Sequence, residues 1–331
     1  YQIALSDASD DEILEHFLKA QLPDSLIADF FTFFEATKTP IAIRSSSLLE
    51  DAHYQPFAGV YSTYMIPYLD DRYTMLQMLA CAIKGVYASV FYRDSKAYMT
   101  ATSNVIDQEK MAVILQQVVG KQYDNRFYPN LSGVLRSLNY YPIGDEKTEE
   151  GIASLALGLG KYIVDGGQTL RVCPYHPHQV LQLSELKLAL RETQTQFYAL
   201  DMQHVGEDFK VDDGFNILKL NLKDAESDGS LLYIASTYSV DDETIYEGLY
   251  EGRKIISCCG VLQQGVFPLP ELLQMAMRYG ADAMRRPVEI EFAVNLNADK
   301  TGELYLLQIR PIVDSKQRLD ENLSSIPDEQ C

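Results

Sequence analysis

Residues 288–312 read VEIEFAVNLNADKTGELYLLQIRPI. Two runs rich in β-branched, aromatic and leucine side chains flank Asn297, Asp299 and Gly302, the pattern of two antiparallel strands joined by a turn. Side chains alternate across a strand. Glu289, Glu291 and Ala293 therefore share one face of the first strand, and Leu304, Leu306, Gln308 and Arg310 share one face of the second. A register that sets Val294 against Tyr305 sets Glu291 against Gln308 and Glu289 against Arg310. One face then gathers carboxylates, an amide oxygen and a guanidinium. Hard oxygen donors suit Mg²⁺, which takes one or two protein groups beside phosphate oxygens, and arginine matches phosphate itself. Spacing alone allows a second reading, a solvated polar face with a Glu–Arg ion pair.

Far upstream, residues 41–59 read IAIRSSSLLEDAHYQPFAG. Pro40 precedes a short strand, IAIR, and the serines that follow read as a loop. Arg44, the hydroxyls and consecutive turn amides could form an anion-binding concavity, with Gly59 permitting a tight bend. The competing reading is a serine-capped loop with a surface arginine. Gly158-Leu159-Gly160 lacks the third glycine of a dinucleotide fingerprint and reads as a structural turn; no Walker lysine-serine pair is present. His176-Pro177-His178 offers two histidines without a third metal ligand and reads as surface.

Between these stretches the periodicity alternates between helix and strand. Residues 11–20 and 25–37 carry helical spacing, with Ser25 as an N-cap. VYSTYMIPY (60–68) reads as a strand, residues 71–101 as one long helix, and MAVILQQVV (111–119) as a strand. Residues 175–265, with acidic loops, read as an insertion, a surface excursion or both. Residues 271–286 form a helix with Arg285 and Arg286 in its last turn, and the segment after Val313 is a polar tail.

The chain has 331 residues, 47% of them hydrophobic and 23% charged, the balance of a folded globular chain. Its net charge of −19 argues against nucleic acid or an anionic membrane surface as the main partner. Neither a signal peptide nor an uninterrupted apolar run of bilayer length stands out, so no membrane association is expected. Five cysteines, an odd number with neither metal-site nor disulfide-framework spacing, point to reduced thiols and a cytoplasmic chain. A first residue of Tyr1 suggests a piece of a longer polypeptide.

Together these segments resemble the N-terminal ATP-binding domain of phosphoenolpyruvate synthase and pyruvate phosphate dikinase. The family pattern V-R-S-S-A-x-x-E-D-x(5)-F-A-G stands here as IRSSSLLEDAHYQPFAG, with Arg44, Glu50, Asp51, Phe57 and Gly59 at matching spacing. AIKGVYASVF, MAVILQQVV, SGVL, GLGKYIVDG and the closing VEIEFAVN with LYLLQIRPI follow in the family's order. The likeness covers roughly residues 40–172 and 268–312.

The resemblance implies an α+β, ATP-grasp-like nucleotide-binding domain with mainly antiparallel sheets and flanking helices. Its two subdomains would span residues 1–110 and 111–313, with a variable insertion near 175–265 and a linker at 314–331. By the same resemblance Arg44 and Arg310 would contact the ATP phosphates as catalytic groups. Gln116, Gln117, Val118 and Val119 would line the adenine hinge, Lys161 would serve the nucleotide site, and Glu291 and Gln308 would hold Mg²⁺. The family donates phosphate from ATP to a histidine on a mobile domain and on to pyruvate. That phosphohistidine domain and the pyruvate-binding barrel are expected to lie outside this sequence. Lys161 stands where the family usually has glutamate, Arg136-Ser137 replace Phe-Thr, and no glycine-rich lysine loop precedes Arg44. These departures keep open a regulatory nucleotide-binding module, or a dikinase whose final acceptor is an antibiotic or a glucan.

Overall fold

The computed structural model describes residues 3–47, 60–101, 110–203 and 209–312. Helices α1 (Asp10–Leu18) and α2 (Asp24–Ala36) lead into strands β1 (Ile41–Ser47) and β2 (Tyr64–Ile66). Helices α3 (Arg72–Ser89) and α4 (Arg93–Ala101) follow, then β3 (Met111–Gln117), β4 (Lys121–Tyr123), β5 (Arg126–Tyr128), β6 (Leu131–Arg136) and β7 (Ile152–Ala156). The short helix α5 (Lys161–Val164) precedes β8 (Leu170–Val172), α6 (Leu186–Glu192), β9 (Gln196–Asp201) and β10 (Ile217–Asn221). Then come α7 (Leu222–Ser227), β11 (Ala235–Ser239), β12 (Thr244–Glu247), β13 (Arg253–Ile256), α8 (Cys259–Leu262) and α9 (Leu269–Met284). The hairpin β14 (Val288–Leu296) and β15 (Gly302–Pro311) closes the described chain. Among the described residues all strand pairings are antiparallel, which makes the domain α+β.

Four sheets result, ordered β2-β1-β3, β10-β9-β5-β4, β12-β11-β13 and β15-β14-β6-β7-β8. One apolar cluster joins α2, β1, β2 and α3 through Phe30, Phe34, Ile41, Ile43, Tyr64 and Leu79. A larger one joins the remaining sheets through Phe197, Leu131, Leu155, Ile290 and Phe292. β3 ladders along its full length with β1, so Met111–Gln117 lies in the same sheet as the N-terminal strands.

Several local expectations need correction. The three serines after Arg44 are not a loop: Ser45, Ser46 and Ser47 ladder against Val113, Ala112 and Met111. A long partner strand extends β1, and a ladder spreads its amides apart where a turn would cluster them. Residues 48–59, with Glu50, Asp51, Phe57 and Gly59, lie outside the described residues. Ser25 is not the N-cap, because α2 begins at Asp24 after Pro23.

The long helix expected over 71–101 breaks after Ser89. Ser95 Oγ donates to the Ser89 carbonyl (2.6 Å), and Asp10 of α1 accepts from the Arg93 amide (2.8 Å). Side-chain groups have taken backbone partners that a continuous helix would use. Residues 72–100 have the length and composition of a bilayer span, but 56% of their most apolar window is buried inside the fold. At the other end, α9 stops at Met284, with Arg285 left-handed (φ 55°) rather than helical.

Residues 175–265 are not a surface excursion. Phe197, Ala199, Leu200, Leu231, Ile234 and Ile256 are buried in the main apolar cluster. Tyr128 of β5 ties this segment down: its hydroxyl donates to Asp228 Oδ2 (2.6 Å) and lies 2.9 Å from Ser230 Oγ. Burial, reinforced by the Asp228 carboxylate, pushes the phenol pKa up, so the hydroxyl remains a donor. Tyr128→Phe removes a hydrogen bond to a nearly buried carboxylate, leaving it the Arg126 guanidinium at 3.4 Å, and is expected to cost about 1–3 kcal/mol in urea unfolding. A loss no larger than that of an exposed Tyr→Phe change, such as Tyr141→Phe, would refute the tie.

Candidate functional site

β1 and β14 place their side chains on opposite sides of one cleft. On β1, Ile41 and Ile43 are buried in the core, while Arg44 is only partly buried and turns its guanidinium toward the closing hairpin. Arg44 Nη2 donates to Gln308 Oε1 (2.8 Å) and to Glu291 Oε2 (3.2 Å), and Nη1 donates to Gln116 Oε1 (3.2 Å). One planar fork thus joins β1, β3, β14 and β15, a geometry that lysine's single point charge cannot reproduce.

The hairpin register explains this convergence. Glu291 pairs with Gln308 and Glu289 with Arg310, as expected. Val294, however, pairs with Leu304 and not with Tyr305, because a bulge shifts the register between Glu291 and Phe292. Leu307 is the residue the ladder skips, and its carbonyl accepts from Gln116 Nε2 (2.9 Å). The bulge re-aims one strand end, a common device next to functional sites, and here it links the hairpin to β3.

Arg310 binds Glu289 through Nε (2.8 Å) and, more closely, through Nη2. Arg136 Nε donates to the other oxygen of the same carboxylate (2.6 Å). Burial acts to raise the Glu289 pKa, but the two guanidiniums outweigh it and hold the carboxyl below its usual range. Glu289 therefore stays ionised and orients Arg310 at the cleft wall. The Glu–Arg ion pair expected from the spacing is present, on the same strand that carries Glu291.

Gly158 (φ 88°) turns the chain where an added Cβ would lie 2.6 Å from the Tyr198 carbonyl. Its own carbonyl accepts from Ser132 Oγ (2.6 Å), and the Leu159 amide donates to Tyr198 O (2.9 Å). This turn delivers Lys161 to the cleft. Lys161 Nζ lies 3.3 Å from Asp213 Oδ1 and 3.4 Å from Asp165 Oδ1. Burial acts to lower its pKa, but the two carboxylates overcome that and hold it above the ordinary lysine value.

The cleft encloses about 310 Å³, within the range of small-molecule sites. Arg44, Gln116, Gln117, Val118, Val119, Lys161, Glu291, Gln308 and Arg310 all line it. The 116–119 segment reaches it where β3 ends: the Val118 amide donates to Pro40 O (2.9 Å), and the chain then crosses to β4. Three cations face three carboxylates here, so the lining carries no net charge although the whole chain is strongly acidic.

Thr63, Asp165 and Asp213 also line the cleft and were not singled out in the sequence. Asp213 Oδ2 accepts from the Thr63 amide (2.8 Å), 150 positions away. Its only local signal was one acidic loop among several.

A family model described as "Pyruvate phosphate dikinase, AMP/ATP-binding domain" matches residues 3–330. The match includes the 175–265 segment left outside the motif likeness. An uncharacterized phosphotransferase of Bacillus subtilis (strain 168), YvkC, is 28% identical over 149 residues. That similarity spans 45% of this chain and only 16% of the relative's length. With the family model covering nearly the whole chain, this protein belongs to the pyruvate phosphate dikinase AMP/ATP-binding domain family.

Proposed function

We propose that this chain is the ATP-binding module of a phosphoenolpyruvate synthase-like phosphotransferase with an ATP-grasp arrangement. It would use ATP and Mg²⁺ to phosphorylate a histidine on a separate swivelling domain, for eventual conversion of pyruvate to phosphoenolpyruvate. The observation that carries this reading is the convergence of β1, β3, β14 and β15 on one guanidinium, inside a cleft lined by the 116–119 segment and by Lys161. The two apolar clusters would correspond to the two subdomains.

The donor set fits a hard cation. Glu291 Oε2 and Gln308 Oε1 both accept from the same Arg44 nitrogen, so a carboxylate and an amide oxygen already meet around one positive centre. Such oxygens match Mg²⁺ beside phosphate. When bound, Mg²⁺ would neutralise developing charge on the transferring phosphates.

The protein's own part is positioning and electrostatic stabilisation. Arg44 would exchange its side-chain oxygens for phosphate oxygens. Arg310, oriented by Glu289, would meet the same phosphates from the hairpin. Residues Gln116–Val119 would lie along the adenine, and Lys161 would add positive charge near the phosphates or ribose. One observation favours a regulatory nucleotide-binding module instead: Lys161 already satisfies Asp213 and Asp165.

ATP with Mg²⁺ should raise the melting temperature of the wild-type chain. Occupancy a hundredfold above Kd contributes about 2.7 kcal/mol. Scanning fluorimetry across millimolar ATP is the check, and no shift would refute the nucleotide site. Phosphotransfer to a histidine-bearing partner domain separates the enzyme reading from the regulatory one.

A further inference from the structure

The strongest unassigned cluster lies where β7 begins and β8 ends. These strands pair Ala153 with Val172, which brings the residues just before β7 beside those just after β8. Glu150 sits on the first side, and Cys173 and His176 on the second. Their ligand atoms, a carboxylate oxygen, Cys173 Sγ and an imidazole nitrogen, all lie within 4.8 Å of one another. His176 Nε2 is 3.0 Å from Glu150 Oε2. The two histidines of His176-Pro177-His178 lacked a third ligand in the sequence; folding supplies Glu150 and Cys173 to one of them.

The turn that carries two of these groups is well defined. The His176 amide donates to Cys173 O (3.0 Å), closing a four-residue turn with Pro174 in its second position. This turn keeps the His176 imidazole and the Cys173 sulfur within 4.8 Å of each other. Glu150 Oε2 accepts from the Lys147 amide (2.8 Å), which orients the carboxylate as an outer-shell partner would. Helix α9 steadies both sides: Gln274 Nε2 donates to Pro174 O (2.8 Å), and Met277 lies against Gly151.

We propose that Glu150, Cys173 and His176 form a binding site for Zn²⁺, separate from the nucleotide cleft. Thiolate and imidazole select a borderline-soft, tetrahedral ion over Mg²⁺. Ligand atoms around such an ion stand roughly 3.5 Å apart, so the cluster needs only small rotations of side chains. Binding forms a Zn–S bond as the thiol proton leaves to solvent, and a water completes the fourth position. The ion would staple the turn before β7 to the turn after β8, at the edge of the sheet that carries Glu289 and Glu291.

The test uses the full chain after chelator treatment and dialysis. Calorimetry with Zn²⁺ should show one equivalent bound, unaffected by excess Mg²⁺. Co²⁺ as a probe should give a thiolate-to-metal charge-transfer band and tetrahedral visible absorption. Cys173→Ser should abolish the band; because that thiol is buried, His176→Gln is the second variant, its fold checked by circular dichroism. His176→Gln should weaken binding at least tenfold, while Cys81→Ser leaves it intact. A wild-type chain without the thiolate band, or a band that persists in Cys173→Ser, overturns the site. A nucleotide-dependent melting shift can succeed or fail independently of these readings.

Discussion

Arg44→Ala is expected to abolish the melting shift that ATP and Mg²⁺ produce in the wild-type chain. Arg44 is the group on which β1, β3, β14 and β15 converge, through bonds to Gln116, Glu291 and Gln308. In the nucleotide complex the same fork would make charge-assisted bonds to phosphate, worth about 1.5–3 kcal/mol each. Losing two of them weakens binding on the order of a hundredfold or more. ATP at a hundredfold excess over the wild-type Kd would then sit near the variant's Kd, and the linked stabilisation falls from about 2.7 to about 0.4 kcal/mol. Arg44→Lys should recover little, since an ammonium cannot serve several separated acceptors in one plane. Arg278→Ala on α9, outside the cleft, should keep the full shift and controls for charge. A full shift in Arg44→Ala would remove this residue from the nucleotide site.

Phe292→Ala should be the most damaging core substitution near the cleft. Phe292 is fully buried on β14, directly opposite Gly133 of β6. The ring occupies space that only a glycine leaves: a Cβ on Gly133 would lie 2.2, 2.5 and 2.8 Å from three ring atoms. Truncation leaves a cavity costing about 3–5 kcal/mol, a large part of a typical folding free energy of roughly 5–15 kcal/mol. Because Phe292 adjoins Glu291 at the bulge, loosening it should also weaken nucleotide binding. Gly133→Ala alone should destabilise by overpacking, about 1–3 kcal/mol, yet in the Phe292→Ala background it should restore part of the loss. Urea unfolding of the four proteins completes the cycle. Simple additivity would show that this contact does not govern the β6–β14 packing.

Much of the site was legible because it rests on short-range rules. Alternation across a strand places Glu291 with Gln308 and Glu289 with Arg310, and the cross-strand pairs follow that order. Motif likeness named Arg44, the 116–119 segment and Lys161, and all of them line the cleft. What failed depended mainly on partners distant in the chain. The serines after Arg44 became strand because β3, some seventy positions later, offered a ladder. The helix expected over 71–101 broke because Asp10 and Ser95 captured backbone groups around Ser89 and Arg93.

By itself, then, the sequence determined the α+β class, the closing hairpin and the identity of the main polar groups. These follow from alternation, helical spacing and motif order, all read along the chain. Only the tertiary structure decided the bulge at Leu307, the Asp213–Lys161 pairing and the meeting of Glu150, Cys173 and His176. Each of these rests on a contact between segments separated in the sequence. Such a contact forms only once burial of the shared core has brought those segments together.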